Sequence, residues 1–423
     1  MTPLSLPRRA FLGTLVGGAL SLASQARSGT IRRKKIALLG TVVFKHSHAQ
    51  HFIDRFLGGY GWKGQWYRSG VDLVSLYIDQ FPETGDLARG RAQRYQVPLY
   101  PSIRDALCLG GSRLAVDGVV IIGEHGNYPK TEKGQTLYPR YPWFKEVVRV
   151  FEESGRSVPV FNDKHLSTDW NQCVEMVEDS RRLNFPFLAG SSLPVTWRLP
   201  GIDVPWGTPM TESLCACYGG VDSYDFHGLE TAQCMSERRR GGESGISSVH
   251  AIKGASAWAM MDQRPITRRL LVSALSRSHT LPVEDGFPTA PVSYEWAKQV
   301  FPDPIVYFIE HRDGFRTTML LLPIRDFNYA GHRSDNDSVI ACQMYLPMPG
   351  SSSTTADFFN PLVHHIEDMV LQNRAPYPVE RTLLTSGMTL AAVDSLHRGQ
   401  RLVETPEMAV RYRATKRSTF WRD

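Results

Sequence analysis

Residues 71–107 read VDLVSLYIDQFPETGDLARGRAQRYQVPLYPSIRDAL. Val71–Ile78 is a mostly apolar, β-branched run closed by Asp79, the pattern of a strand buried in a parallel sheet. Residues 84–96 predict a polar helix. Val97-Pro98-Leu99-Tyr100 is a short extended piece, and Ser102 caps a short helix over 102–107. Towards the N-terminus, Ile36-Ala37-Leu38-Leu39-Gly40 follows the basic step Arg32–Lys35 and predicts another buried strand. Residues 48–58 place Phe52, Ile53, Phe56 and Leu57 at helical spacing, and Gly58, Gly59 and Gly61 end that helix. Towards the C-terminus, Val116–Ile122 predicts a strand, 140–154 an amphipathic helix, Ser157–Phe161 a strand and 168–183 a helix. Strands alternating with helices predict a doubly wound parallel sheet.

After residue 190 the pattern changes. Residues 190–209 are rich in Pro, Gly and Trp and read as a hinge or linker. The runs Ser247–Ile252, Ala255–Met261, Arg268–Ser273, Ile305–Ile309, Thr317–Pro323 and Val339–Leu346 read as short strands of a mostly antiparallel sheet. Residues 349–355 (PGSSSTT) read as a flexible loop, and 357–372 and 379–398 return to helical spacing. The expected architecture is an α/β doubly wound part over 33–190, an α+β part over 191–405 and a tail over 406–423.

The chain has 423 residues, 42% hydrophobic and 21% charged, which excludes disorder as its main state. Six cysteines are too few for a disulfide scaffold. A net charge of +6 from scattered residues argues against a nucleic-acid partner. The first residues, MTPLSLPRRAFLGTLVGGALSLASQA, carry Arg8-Arg9, then Phe11-Leu12, a weak apolar run and a small-x-small pattern at Ser24 and Ala26. This resembles a twin-arginine export signal over 1–26, with Pro7 where Ser or Thr is usual. It predicts a periplasmic protein that uses the twin-arginine machinery. Without the signal the charge falls to +4, and no later stretch is apolar enough to span a membrane.

Five segments in order resemble the Gfo/Idh/MocA family of oxidoreductases, relatives of glucose–fructose oxidoreductase and inositol dehydrogenase. They are the 71–107 stretch, VDGVVIIGEHGNYP (116–129), SGRSVPVFNDKHLS (154–167), GGVDSYDFHGLETAQCM (219–235) and the helical region 358–402. The resemblance implies a Rossmann-like first domain that binds NAD or NADP. It also implies a second domain that presents a small-molecule substrate, usually a carbohydrate or polyol, and a homo-oligomer. Lys164 matches the lysine of the family's Glu-Lys-Pro motif and His227 the histidine of its second domain; both are implied proton-transfer groups. The family's aspartate falls at Ser223, between Asp222 and Asp225, and Asp225 is taken as its catalytic substitute. Asp79 matches the acidic residue that reads the cofactor ribose. By position, Gly40, Thr41, His46, Glu124, His125 and Asp163 would line the cofactor.

Several residues depart from the family. Only the first glycine of the Gly-x-Gly-x-x-Gly fingerprint is present, as Gly40, and Thr41-Val42-Val43-Phe44-Lys45 follow. The third strand ends in Gly123-Glu124-His125 rather than Thr-Pro, and Glu-Lys-Pro has become Asp163-Lys164-His165. Two other readings therefore stand beside the oxidoreductase: a non-redox lyase or hydrolase, and a carbohydrate-binding protein without catalysis. His46, His48, His51, Glu124-His125 and Asp163-His165 group imidazoles and carboxylates at strand ends, but their spacing matches no metal motif, and no metal is assigned. Tyr128, Tyr138, Tyr141, Trp143, Trp197 and Trp206 are candidate sugar platforms. Arg140, Arg198 and Arg264 are candidate readers of an acidic sugar. Arg238-Arg239-Arg240 reads as an exposed loop.

Overall fold

Along Lys34–Val42 (β1) successive side chains enter opposite cores: Ile36 and Leu38 one, Ala37 and Leu39 the other. The same alternation sends Val120 and Ile122 of Gly118–Ile122 (β5) to the first core and Val119 and Ile121 to the second. These strands belong to a computed structural model that describes residues 32–283, 290–347 and 355–422. The export reading of 1–26 and all but residue 355 of the 349–355 loop lie outside the described residues.

The first part runs β1, α1 (His48–Gly58), the hairpin β2 (Tyr60–Trp62) and β3 (Gln65–Tyr67), β4 (Val71–Gln80), α2 (Ala88–Tyr95), α3 (Ile103–Cys108), β5, α4 (Arg140–Ser154), β6 (Val160–Asp163), α5 (Trp170–Arg182) and β7 (Phe187–Gly190). The five long strands form a parallel sheet in the order β4-β1-β5-β6-β7. Chain order reverses between β1 and β5, and such a switch point opens a crevice at the carboxyl edge. Ser102 caps α3 as expected, accepting from the Asp105 amide. The extended piece at 97–100 contributes one parallel bridge, Leu99 to Leu76.

The second part continues with β8 (Arg198–Leu199), β9 (Met210–Tyr218), α6 (Asp225–Ser236), β10 (Ile246–Lys253), α7 (Ala255–Asp262), α8 (Pro265–Leu275), α9 (Tyr294–Val300), β11 (Ile305–His311), β12 (Arg316–Leu322), β13 (Phe327–Arg333), β14 (Val339–Met344), α10 (Asn360–Gln372), α11 (Glu380–His397) and β15 (Val403–Glu404). Its eight-stranded sheet has the order β15-β10-β11-β12-β9-β13-β14-β8 and is antiparallel except where β12 pairs with β9. One face packs on α7, α8 and α9. The other face joins a core that also contains Phe52, Phe161 and α10, so the two sheets share apolar packing. The Rossmann-like sheet with a mostly antiparallel partner is the fold expected from the sequence.

Three expectations are corrected. Ala255–Met261 and Arg268–Ser273 fall in the helices α7 and α8, not in strands. Pro265 sits at the first turn of α8, where its missing N–H costs nothing, and Thr267, Leu270, Leu271, Ala274 and Leu275 form a buried stripe of helical period. Residues 190–209 are not a loose linker: Ser191, Leu193, Val195, Thr196 and Arg198 are buried. Ser191 donates its amide and hydroxyl to Glu230, so this crossing is pinned to α6. Arg238 and Arg239 are buried rather than on an exposed loop. Arg239 pairs with Glu243 and Asp313, which supply the counter-charge a buried guanidinium requires.

All twelve residues of α6 are buried, although Asp225, His227, Glu230 and Gln233 lie among them. A helix buried on all sides is ordinarily apolar throughout. These polar groups must therefore be paired, or face a polar space, to remain there.

Candidate active site

The carboxyl ends of β1, β5 and β6 meet the N-terminal turn of α6. Lys164, directly after β6, adopts a left-handed backbone (φ 68) while its amide donates to Gly190 O. His46 (φ 72) and His125 (φ 68), which follow β1 and β5, are left-handed as well. Non-glycine residues held there store backbone strain, and such strain clusters at functional sites.

The Lys164 amine lies 2.5 Å from His227 Nε2 and 4.0 Å from Glu124 Oε1. Glu124 in turn accepts from Arg140 at 2.6 Å, and Arg140 reaches His165 Nε2 at 2.9 Å. His48 Nδ1 bonds Asp163 Oδ2 at 2.7 Å. The His48 ring contacts His125 and Phe359, with centroids 5.5 and 5.1 Å away. Tyr224 and Phe327 flank the His227 ring, and Tyr224 also lies 6.0 Å from the Lys164 amine. Thus Lys164, His227, Glu124, His125 and Asp163 form one group, joined by His48, Arg140 and His165.

Burial sets the protonation of this group. It pushes His227 and His48 well below the ordinary imidazole range, and the charge of Lys164 lowers both further, so each ring is neutral at pH 7. His165 is held well below that range by burial and Arg140. Burial raises Asp163 to about 7 against the opposing pull of Lys164. Burial also acts to raise Glu124, but Lys164 and Arg140 outweigh it and hold the carboxyl at about 2. The site therefore holds an ionised Glu124 beside neutral histidines and a carboxyl, Asp163, poised near neutrality. Such separated protonation states suit acid–base work.

His227 Nδ1, His125 Nε2 and Asp163 Oδ1 are buried and hydrogen-bond to no described residue. Buried polar atoms are normally satisfied. These three atoms keep hydrogen-bonding capacity that a ligand hydroxyl can meet.

Asp225 stands apart. Its carboxylate accepts from the amides of Asp222, Ser223 and Phe226 and from the Tyr307 hydroxyl. It holds the turn that presents His227, which is a positioning role. Asp222 instead bonds Gln135 and the Thr136 amide and lies 3.9 Å from His165. Ser223 donates to Gly220 O.

The expected cofactor residues lie at or just after the carboxyl ends of β1, β4, β5 and β6. A Cβ at Gly40 would sit 3.0 Å from Ile78 Cδ1 and 3.3 Å from Ala49 Cβ, so this glycine lets α1 press against the sheet. Ser47 caps α1, and the helix has no acid in its first turn, which leaves its N-terminus favourable to an anion. Asp79 is exposed at the end of β4, and its two oxygens accept from the Tyr77 and Tyr128 hydroxyls. A ribose hydroxyl is the same kind of donor, so this carboxylate fits the ribose role. The pyrophosphate position is narrower. There the Phe44 and Gln50 amides bond Ser47 Oγ, the His46 amide bonds Gln50 Oε1, and Thr41 Oγ1 donates to Glu124 O.

The candidate platforms disperse. Trp143 is in the second core, Arg198 is buried against Asp203, and Arg264 faces Glu310. Tyr138 lies against Arg140 at the site's rim. Tyr224, Phe327 and Phe359 escaped the sequence reading. Tyr224 has a local signal, since it lies three residues before His227; Phe327 and Phe359 come from remote segments.

The buried acids predict the pH dependence of stability. Asp163 and Glu230 are raised by burial to about 7 and Asp225 to about 6, from ordinary values of 3.8, 4.5 and 3.8 respectively. Between pH 4 and 7 these acids hold protons in the native state that the unfolded chain has released, so their contribution to stability falls as pH rises, while the buried neutral histidines His48, His165 and His227 act in the opposite sense below about pH 6.5. Glu230→Gln isolates one acid: the thermal midpoint of the unaltered protein relative to that of Glu230→Gln is expected to fall from pH 5 to pH 8. A relative midpoint that climbs over this range contradicts the assignment.

No family model and no curated protein matches the chain. Solved structures match it in fold. GenD2 from gentamicin A biosynthesis, in complex with NAD, superposes with a TM-score of 0.54 at 12% identity, covering 93% of this chain and 99% of that one. A myo-inositol dehydrogenase from Corynebacterium glutamicum gives 0.51 at 12% identity, with coverages of 88% and 99%. The myo-inositol dehydrogenase from Lactobacillus casei, in complex with NAD(H) and myo-inositol, gives 0.51 at 11% identity, with coverages of 88% and 97%. At these identities the likeness is one of fold.

Proposed function

We propose that the chain is an exported oxidoreductase that acts on a sugar or polyol with a nicotinamide cofactor, NAD or NADP. The observation that carries the proposal is the Lys164–His227 pair, set where β6 ends and faces α6 in a fold shared with NAD-bound dehydrogenases. Asp79 and the α1 N-terminus would hold the cofactor, which when bound accepts or returns a hydride. The Lys164 ammonium gives a proton to the substrate oxygen as a carbonyl is reduced and the amine takes it back as the hydroxyl is oxidised, while neutral His227, bonded to that amine through Nε2, orients it. Asp163 and His125 orient neighbouring hydroxyls. Glu124, kept ionised by Arg140, places a negative charge beside Lys164. Periplasmic export rests on the Arg8-Arg9 segment. An exported enzyme meets little free cofactor, so tight retention goes with this reading. A homo-oligomer is proposed from the family resemblance.

Titration calorimetry with NAD(H) and NADP(H) tests the proposal. Binding is expected, and Asp79→Ala is expected to weaken it about 10-fold through loss of a charge-assisted hydrogen bond to the ribose. No binding of any of the four, together with no nicotinamide released on denaturation, overturns it. The non-redox lyase or hydrolase reading would then stand. It is favoured by one observation: the chain's own side chains take the amides that would cradle a pyrophosphate.

A further inference from the structure

A cleft elsewhere on the molecule shares no lining residue with the Lys164 site. It has a volume of about 960 Å³ and lies between the β2–β3 hairpin, α10 and the segment 415–422. That volume is at the upper end of the range for small-molecule sites, about 300–1,000 Å³, and gives room for more than one ring. Its floor is aromatic. Trp62 and Trp421 pack with centroids 3.8 Å apart, and His364 lies 4.2 Å from Trp62. Both indoles are only partly buried.

Its rim is cationic. Lys63 lies 5.9 Å above the Trp421 ring. Arg374, Lys416, Arg417 and Arg422 also line the cleft and are exposed, whereas Asp368 is the one carboxylate among its described lining residues. The cations come from three elements: the hairpin, the α10–α11 turn and the C-terminal segment. Five cations against one carboxylate among the described lining residues, in a cleft of this volume, suit a ligand with several anionic groups.

We propose that this cleft binds an acidic oligosaccharide, a sugar ring against Trp421, whose inner face is backed by the Trp62–His364 stack, and its carboxylates or sulfates on the basic rim. Indole faces stack on the apolar side of sugar rings, and guanidinium groups pair bidentately with carboxylate or sulfate. The cleft would hold an acidic chain by one segment, independently of the chemistry at Lys164.

Titration calorimetry on the full chain at low salt tests this, with trigalacturonate as probe and neutral maltotriose and AMP as controls. Trigalacturonate is expected to bind, with affinity falling at least 10-fold in Trp421→Ala and in the exposed double variant Lys416→Ser/Arg417→Ser. Binding is also expected to weaken with added salt. Absence of trigalacturonate binding overturns the proposal, as does equal binding of maltotriose, preferential binding of AMP, or binding unchanged in the Lys416/Arg417 double variant.

Discussion

Lys164→Ala is expected to lower turnover about 10²–10⁴-fold, the usual contribution of a positioned general acid or base, while the fold persists. The side chain is buried and lies 2.5 Å from His227 Nε2, so its removal leaves the imidazole without its proton partner. It also removes the cation that faces ionised Glu124 at 4.0 Å. Lys164→Arg separates the two contributions. A guanidinium keeps the charge but does not give up a proton. If Lys164 transfers a proton, Arg fails as Ala does; if it supplies charge alone, Arg restores most of the activity. NAD(H)-linked turnover of a panel of cyclic polyols, with circular dichroism as the fold control, provides the readout. Turnover in Lys164→Ala equal to that of the unaltered protein would remove this residue from the chemistry.

Arg381→Ala is expected to destabilise the protein by about 3–5 kcal/mol, the range for removing one partner of a buried ion pair. Arg381 on α11 is fully buried and bonds both oxygens of Glu237, at 2.9 and 2.5 Å, while its guanidinium lies 4.0 Å from the Tyr377 ring. Glu237 also accepts from Tyr412 of the C-terminal segment. Without Arg381 this buried carboxylate keeps one hydroxyl donor and no counter-charge. The pair also ties α11 to the end of α6, the helix that carries His227, so the loss spreads to the site. Urea unfolding measures the change. Arg381→Met/Glu237→Gln is expected to recover much of it, because it removes both charges rather than stranding one. A single variant as stable as the unaltered protein would show that the carboxylate finds water or another partner.

Local patterning made most of the first half legible. The apolar runs around Ile36–Gly40 and Val116–Ile122 are buried on both faces, and α1 over 48–58 and α4 over 140–154 have the expected bounds. Helix periodicity and caps are properties of neighbouring residues, so they survive in any context that buries the apolar stripe. The second half was less legible. β9 and β13 lie inside the eight-stranded sheet, yet their sequences, MTESLCACY and FNYAGHR, mix polar and small residues. Their strand state comes from partners on both sides rather than from intrinsic preference. The Ala- and Met-rich run at 255–261 resembled a strand because a short apolar run does not distinguish the two states.

The sequence by itself supplied the candidates: Lys164 and His227 through the family resemblance, and Glu124, His125 and Asp163 through their positions at strand ends. Whether they face one another was decided by the tertiary structure, because strand order places residues 124, 163 and 227 together across gaps that no local pattern spans. The same holds for their protonation. Asp163 near 7 and Glu124 near 2 are both carboxyls at strand ends, and only burial and the positions of Lys164 and Arg140 separate them. Asp225 shows the converse: beside His227 in sequence it looked catalytic, but three amides and a hydroxyl turn its carboxylate inward as the fastening of α6. Residue type and order are written in the chain, whereas distance and dielectric exist only once the sheets have packed.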